Sequence, residues 1–216
     1  NSGCSWRTDG AVVQPLTVSL RQKGGLCDFA NTLAKELGIP WEIKPNPAMP
    51  GGSVIMLFGG DPCPASLLRE VVDANRQAGN QPIDMLFCVG PDPRTAIRVT
   101  EEVTQIGLKV WNGVDHGIRR VPAWDLDQVR MVSHESCRGL EGWVTWCTTM
   151  DRQLAFRERI HLEQGANAVA AIDLAMKWLM IPMTRAIDTL VIHVEDPGSL
   201  FGRALQTAAS RWPDHC

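Results

Sequence analysis

Tyrosine is absent from this 216-residue chain although it holds eight tryptophans, a bias for which we have no physical account. The seven cysteines, Cys4, Cys27, Cys63, Cys88, Cys137, Cys147 and Cys216, never form a CxxC pair. Odd in number and scattered, they argue against a disulfide framework and predict free thiols, several of them buried, in a reducing compartment. Cys137 and Cys147 lack zinc-ligand spacing to any histidine, so no metal site is expected. No apolar run reaches the roughly 18–20 residues that a membrane helix needs. The opening Asn1-Ser2-Gly3-Cys4-Ser5-Trp6 has neither the charged nor the apolar region of a signal peptide. A cytoplasmic protein without membrane partners is therefore expected. A formal charge of −3 offers no global attraction to nucleic acid, so any such contact must be made locally by a few donors.

Chemical signatures are missing as well. There is no GxxxxGK[ST]: Gly24-Gly25, Gly51-Gly52 and Gly59-Gly60 lack the lysine and hydroxyl that would follow. No apolar strand ends in Asp-Glu to hold magnesium and orient water. GxSxG, HExxH and GxGxxG are also absent. The chain therefore cannot cradle a nucleotide's phosphates by itself.

What is present is an alternation of apolar strand-length runs with helical patterns. Strands are predicted at 16–20, 53–58, 83–89, 108–111, 128–133, 143–148 and 189–194. Helices are predicted at about 25–37, from after Pro64 to 78 with Asp61 or Ser66 as cap, at 94–106 with Ile97, Val103 and Ile106 inward, at 166–179 and at 199–211. The loosest stretches are 45–52, 112–127 and 151–165. Hydrophobic content of 44% and charged content of 21% suit a folded globular chain. Strands separated by helices of this length pair in parallel, with helices on both faces of one sheet. One α/β domain spanning 1–216 is expected. Trp143 and Trp146, in one strand, belong to the core or a helix contact rather than to base stacking.

In an open parallel sheet ligands bind outside the carboxyl ends of the strands, which directs attention to the residues flanking each strand. Arg21 follows the 16–20 run and admits two roles, reaching a phosphate presented by a facing surface or pairing with a nearby carboxylate. Gly139-Leu140-Glu141 forms a tight turn whose glycine permits close backbone approach. Glu141 would then either accept a hydrogen bond from a ribose hydroxyl or stand solvated in an ordinary connection. His134, with Ser133 before it, could donate to a phosphate or serve as a structural hydrogen-bonder. Arg185 lies between a strongly apolar helix and strand, where burying a guanidinium is costly unless an anion meets it.

Three segments resemble the C-terminal RecA-like domain of a superfamily 1 helicase of the UvrD/Rep type. Ser5-Trp6-Arg7 with Leu16–Arg21 and Phe29-Ala30-Asn31 resembles the fourth motif, SW…G…LxxxYR…FAN. Ser133-His134-Glu135-Ser136-Cys137-Arg138-Gly139-Leu140-Glu141 is similar to the fifth, THxxKGLE, and Met183-Thr184-Arg185-Ala186 to the TRA core of the sixth. The resemblance implies a three-layer RecA-like fold without its own phosphate loop, 1–15 being a tail from a preceding domain. It implies a second motor domain of an ATP-dependent DNA helicase or translocase, of the kind active in DNA repair. ATP with Mg2+ would be held mainly by an N-terminal RecA-like domain of the same protein, lying outside this sequence. Arg21 and Arg185 would contact the γ-phosphate as the catalytic arginines, Gly139 and Glu141 would bind the nucleotide at its ribose, and Ser133 and His134 would lie against single-stranded DNA.

Leu20 stands where the family has its adenine-stacking tyrosine, Arg138 replaces a lysine, Pro182 replaces a small residue, and Leu174-Ala175-Met176 replaces an acidic pair. Too few residues separate Arg21 from Ser133 for the family's large inserted subdomain, so a compact variant is expected. Such a chain alone should bind ATP weakly and hydrolyse none. These departures also motivate a different class, a non-catalytic RecA-like module that binds protein or nucleic acid. A flavodoxin-like enzyme is a weaker reading, since no phosphate or flavin loop is recognisable.

Overall fold

Side-chain alternation on buried strands gives this chain two cores, one on each side of a sheet. The computed structural model describes residues 18–211. In chain order the elements are α1 (Gly24–Glu36), β1 (Ser53–Phe58), α2 (Ala65–Gln77), β2 (Met85–Val89), α3 (Pro93–Gln105), β3 (Lys109–Asn112), β4 (Gln128–Ser133), β5 (Gly142–Cys147), α4 (Met150–Glu163), α5 (Ala168–Met183), β6 (Ala186–Val194) and α6 (Leu200–Ser210). The strands form one six-stranded sheet in the order β1-β6-β5-β2-β4-β3, every pairing parallel. Central β2 is buried along its whole length, as a parallel strand covered on both faces must be. Its Leu86 and Cys88 enter one core, while Met85, Phe87 and Val89 enter the other.

The first core is closed by α1, α4, α5 and α6, which supply Leu26, Phe29, Leu33, Leu154, Leu179, Phe201 and Leu205. The second is closed by α2 and α3 through Leu68, Val71, Val72, Val99 and Val103. Trp146 lies in the second core and stacks on Phe87 with ring centroids 5.5 Å apart. The result is the expected three-layer α/β architecture, consistent with a RecA-like fold. Among the described residues no helix is long and apolar enough to cross a membrane, and no group of side chains could hold a metal ion. Cys27, Cys63, Cys88, Cys137 and Cys147 are free and buried, as expected; Cys4 and Cys216 lie outside the described residues.

Several expectations need correction. The strand placed at 16–20 is reduced, over its described part, to an isolated parallel bridge from Val18 to Lys44, and Leu20 is exposed. The stretch 151–165 is not loose but forms most of α4. Its buried face is Met150, Gln153, Leu154, Arg157 and His161, so polar residues occupy positions where periodicity reasoning looks for apolar ones. Ile97 faces solvent at 57% exposure; Val103 is buried as expected, and α3 turns Thr95, Val99 and Glu102 inward with it. Neither Asp61 nor Ser66 caps α2: the cap position is Pro64. Asp61 instead accepts from the Cys63 amide and pairs with Arg98. The tail proposed at 1–15 lies outside the described residues.

Candidate functional site

Glu141 immediately precedes β5, and Arg185 immediately precedes β6. Because the two strands run parallel and are adjacent, both residues stand at the amino edge of the sheet. That is the edge opposite the one to which the strand-end rule pointed. The Gly142 amide donates to the Arg185 carbonyl at 3.1 Å, fixing the two strand starts together. A Cβ at Gly142 would lie 2.5 Å from the Val144 carbonyl oxygen and 2.9 Å from Leu86 Cβ, so the close approach needs glycine. Gly139 has φ +79°, a left-handed conformation that lets the turn ending in Glu141 close.

Arg21 reaches this edge from the far end of the sequence. Ser19 Oγ accepts from the Gln22 amide at 3.0 Å and the Lys23 amide donates to the Ile187 carbonyl at 3.0 Å, laying residues 19–23 along the start of β6. Lys23 is held further by Asp188 and by the face of Trp143, 4.9 Å from its ring centroid. The opposite wall comes from residues 39–44. Asn31 pins that segment, its Nδ2 donating to the Ile43 carbonyl at 2.8 Å and its Oδ1 accepting from the Ile43 amide at 3.0 Å. Arg21, Thr184 and Arg185 thus line one groove of about 360 Å³ together with Trp41 and Ile43.

The two arginines differ in how their charge is met. Arg21 Nε lies 2.5 Å from Glu141 Oε1 but off the hydrogen-bond axis, so Nε itself is left without a hydrogen bond. Arg185 has no carboxylate partner among the described residues; its Nε donates to the Ile181 carbonyl at 2.9 Å and Nη2 donates to Thr184 Oγ1 at 3.3 Å. Burial depresses its pKa, and the nearby positive charge of Arg21 depresses it further. Two guanidinium groups therefore converge on one groove, and only one of them has a carboxylate partner.

The two residues expected at nucleic acid sit elsewhere. Ser133 ends β4, at the carboxyl edge, and donates from Oγ to Ser136 Oγ at 2.8 Å. His134 is 2% exposed, both ring nitrogens lack a partner, and burial pushes its pKa down to about 3. It is a neutral core histidine that turns no ring nitrogen to solvent. From there a 3-10 turn at His134–Cys137 carries the chain across the first face of the sheet to Glu141.

One functional-looking residue escaped the sequence reading. Arg130, on β4, donates from Nε to the Ile83 carbonyl at 2.7 Å and from Nη2 to the Glu141 carbonyl, and so anchors the turn that presents Glu141. An arginine flanked by the apolar Val129 and Met131 in the QVRMVS strand was the available signal, by the same reasoning that singled out Arg185.

The chain matches no known family profile and no curated protein. It is similar in structure to the C-terminal domain of a possible DNA helicase from Lactobacillus plantarum WCFS1, with a TM-score of 0.52 over 88% of this chain and 96% of that one. The two are 11% identical, so what the likeness carries is the fold.

Proposed function

We propose that this chain is the second motor domain of an ATP-dependent DNA helicase or translocase, of the UvrD/Rep type. The observation that supports this best is the meeting of Arg21, Glu141 and Arg185 at one sheet edge from three distant parts of the sequence, with Arg185 in no direct ion pair among the described residues. The fold shared with a possible helicase's C-terminal domain adds to it. In this reading an N-terminal RecA-like domain supplies the phosphate loop and Mg2+, and ATP is held between the two domains. Glu141 accepts from the ribose beside Gly139, releasing Arg21. Arg21 and Arg185 then meet the charge that develops on the γ-phosphoryl group, where preorganised donors act most strongly. Ser133 and His134 take part from beneath, at the start of the turn that links the carboxyl edge to Glu141.

The test joins this chain to the segment that naturally precedes it and measures DNA-stimulated ATP turnover. Arg185→Ala is expected to lower turnover by about 10³-fold or more, the scale of an arginine finger. Unchanged turnover would reject the motor reading. A second reading has its own observation: Arg185 Nε caps the Ile181 carbonyl in the last turn of α5, a purely structural use. A non-catalytic binding module would then show Arg185→Ala lowering the melting temperature while no ATP is turned over by the joined protein.

A further inference from the structure

A second concentration of arginine lies on the first face of the sheet, over β3 and β4. The helices of that face pack chiefly on β1, β5 and β6. The gap is bordered instead by the loop after β3 and by the 3-10 turn and its continuation to Leu140. It is an open groove of about 460 Å³ lined by Arg119, Arg130 and Arg138 with Trp111, Ser136 and Leu140. No aspartate or glutamate lines it.

These arginines are held by neutral partners, as Arg185 and Arg203 also are. Arg94, Arg98, Arg152 and Arg211 each pair with at least one carboxylate. In the groove, Arg119 donates to Ser136 Oγ. Arg130 donates to two backbone carbonyls. Arg138 lies 4.1 Å from the centroid of the Trp178 ring, whose ring also carries Arg157 at 3.6 Å. Asp84 is the acid that bears on Arg130, and its Oδ2 is occupied by the Gln81 amide at 2.9 Å. Neutral partners orient a guanidinium without cancelling its charge. The groove is thus a positive locus on a chain of net negative charge.

Trp111, fixed by its Nε1 donating to the Val121 carbonyl at 2.9 Å, adds an aromatic wall. On the same loop Trp124 is 74% exposed. A positively charged open groove with aromatic surface beside it is the chemistry that takes a sugar–phosphate backbone with unpaired bases, because guanidinium groups meet phosphates and any base can stack. We infer that this groove binds a single strand of nucleic acid through Arg119 and Arg138, with Arg130 holding the wall between them. The inference rests on the nucleic-acid partner of the proposed function, and adds Arg119, Arg130 and Trp111, which lie outside the segments used for that reading, to Arg138, which lies within one of them.

The experiment titrates this chain with a fluorescent oligothymidylate at increasing salt, comparing wild type with Arg119→Ala, Arg138→Ala and the double variant. Arg203→Ala, at an exposed arginine bonded to the Gly198 carbonyl, controls for loss of positive charge as such. Each groove arginine that meets a phosphate should lower the log–log salt slope by about 0.7. The double variant should therefore fall by about 1.4 in slope, and several-fold or more in affinity at low salt. Arg119→Lys should restore most of the slope, and Arg203→Ala should match wild type. A double variant with wild-type affinity and slope overturns the inference. So does a wild-type chain that binds no oligothymidylate at low salt, or equal displacement by polyglutamate of the same charge. None of these outcomes touches the nucleotide trigger, which is read through ATP turnover in Arg185→Ala. Equally, unchanged turnover there would leave the groove standing.

Discussion

Arg185 and His134 are both charged or chargeable groups taken out of water, and the fold treats them in opposite ways. Arg185 stays protonated at any physiological pH even though burial depresses its pKa, so in the proposed reading its remaining N–H groups are open to an acceptor brought by a facing domain. His134 surrenders its proton instead. Its folded pKa of about 3 lies below the ordinary value of 6.5, so below pH 6.5 the unfolded chain binds a proton that the folded chain refuses. Stability is therefore complete above about pH 6.5 and falls as the pH drops, by up to about 1.4 kcal/mol per unit, until about pH 3. Burial pushes His193 in the same direction. Urea unfolding at pH 7 and pH 5 should show wild type losing up to about 2 kcal/mol through His134. His134→Leu should lose correspondingly less, and a variant that keeps the whole acid loss would contradict this account.

At the scale of elements, the candidate site depends on one side chain of α1 that makes no contact with its charged groups. Asn31 holds Ile43 by both backbone groups, and the adjoining Lys44 carbonyl accepts from the Ser19 amide at 2.8 Å. Through Ser19 the hold extends to the turn bearing Arg21. Asn31→Ala should cost about 1–3 kcal/mol in chemical denaturation, because two backbone groups lose their partners. It should also speed amide exchange at Ile43 and Ser19; unchanged exchange there would disconnect Asn31 from the groove. Which elements could be read from the sequence follows the same logic of what each one buries. β2 and the second half of β6 announce themselves as apolar runs because both of their faces are covered, and half-buried β1 does so because its side chains face a core on each side. α4 does not, because it buries Gln153 against Glu135 at 2.7 Å and Arg157 against Trp178. Arg185 and Glu141 could be picked out singly, as a cation in apolar company and an acid after a glycine turn. Their meeting was implied only by the family resemblance and could not be read from the residues themselves, since it depends on β5 and β6 being neighbours, which lies in the strand order. The positive groove was hidden for a related reason. Arg119, Arg130 and Arg138 come from a loop, a strand and a turn that only the sheet's folding superimposes.

For the molecule as a whole, the two rims of the sheet carry different groups. Ser133 closes one rim, Glu141 opens the other, and the residues between them traverse the face. The traverse is tied down by the Cys137 thiol bonding the His134 carbonyl at 3.0 Å, by the Leu140 amide donating to the Cys137 carbonyl at 3.0 Å, and by Arg130 on the Glu141 carbonyl. Inserting one glycine after Ser136 should slacken it. In the protein joined to its preceding segment, basal ATP turnover is then expected to persist while stimulation by DNA is lost. Stimulation that survives the insertion would show that the traverse does not couple the rims. The positive groove borders the same stretch at Ser136 and Arg138. A tug on a polymer lodged there would be delivered, through a strut too short and too well bolted to stretch, to the carboxylate that clasps Arg21.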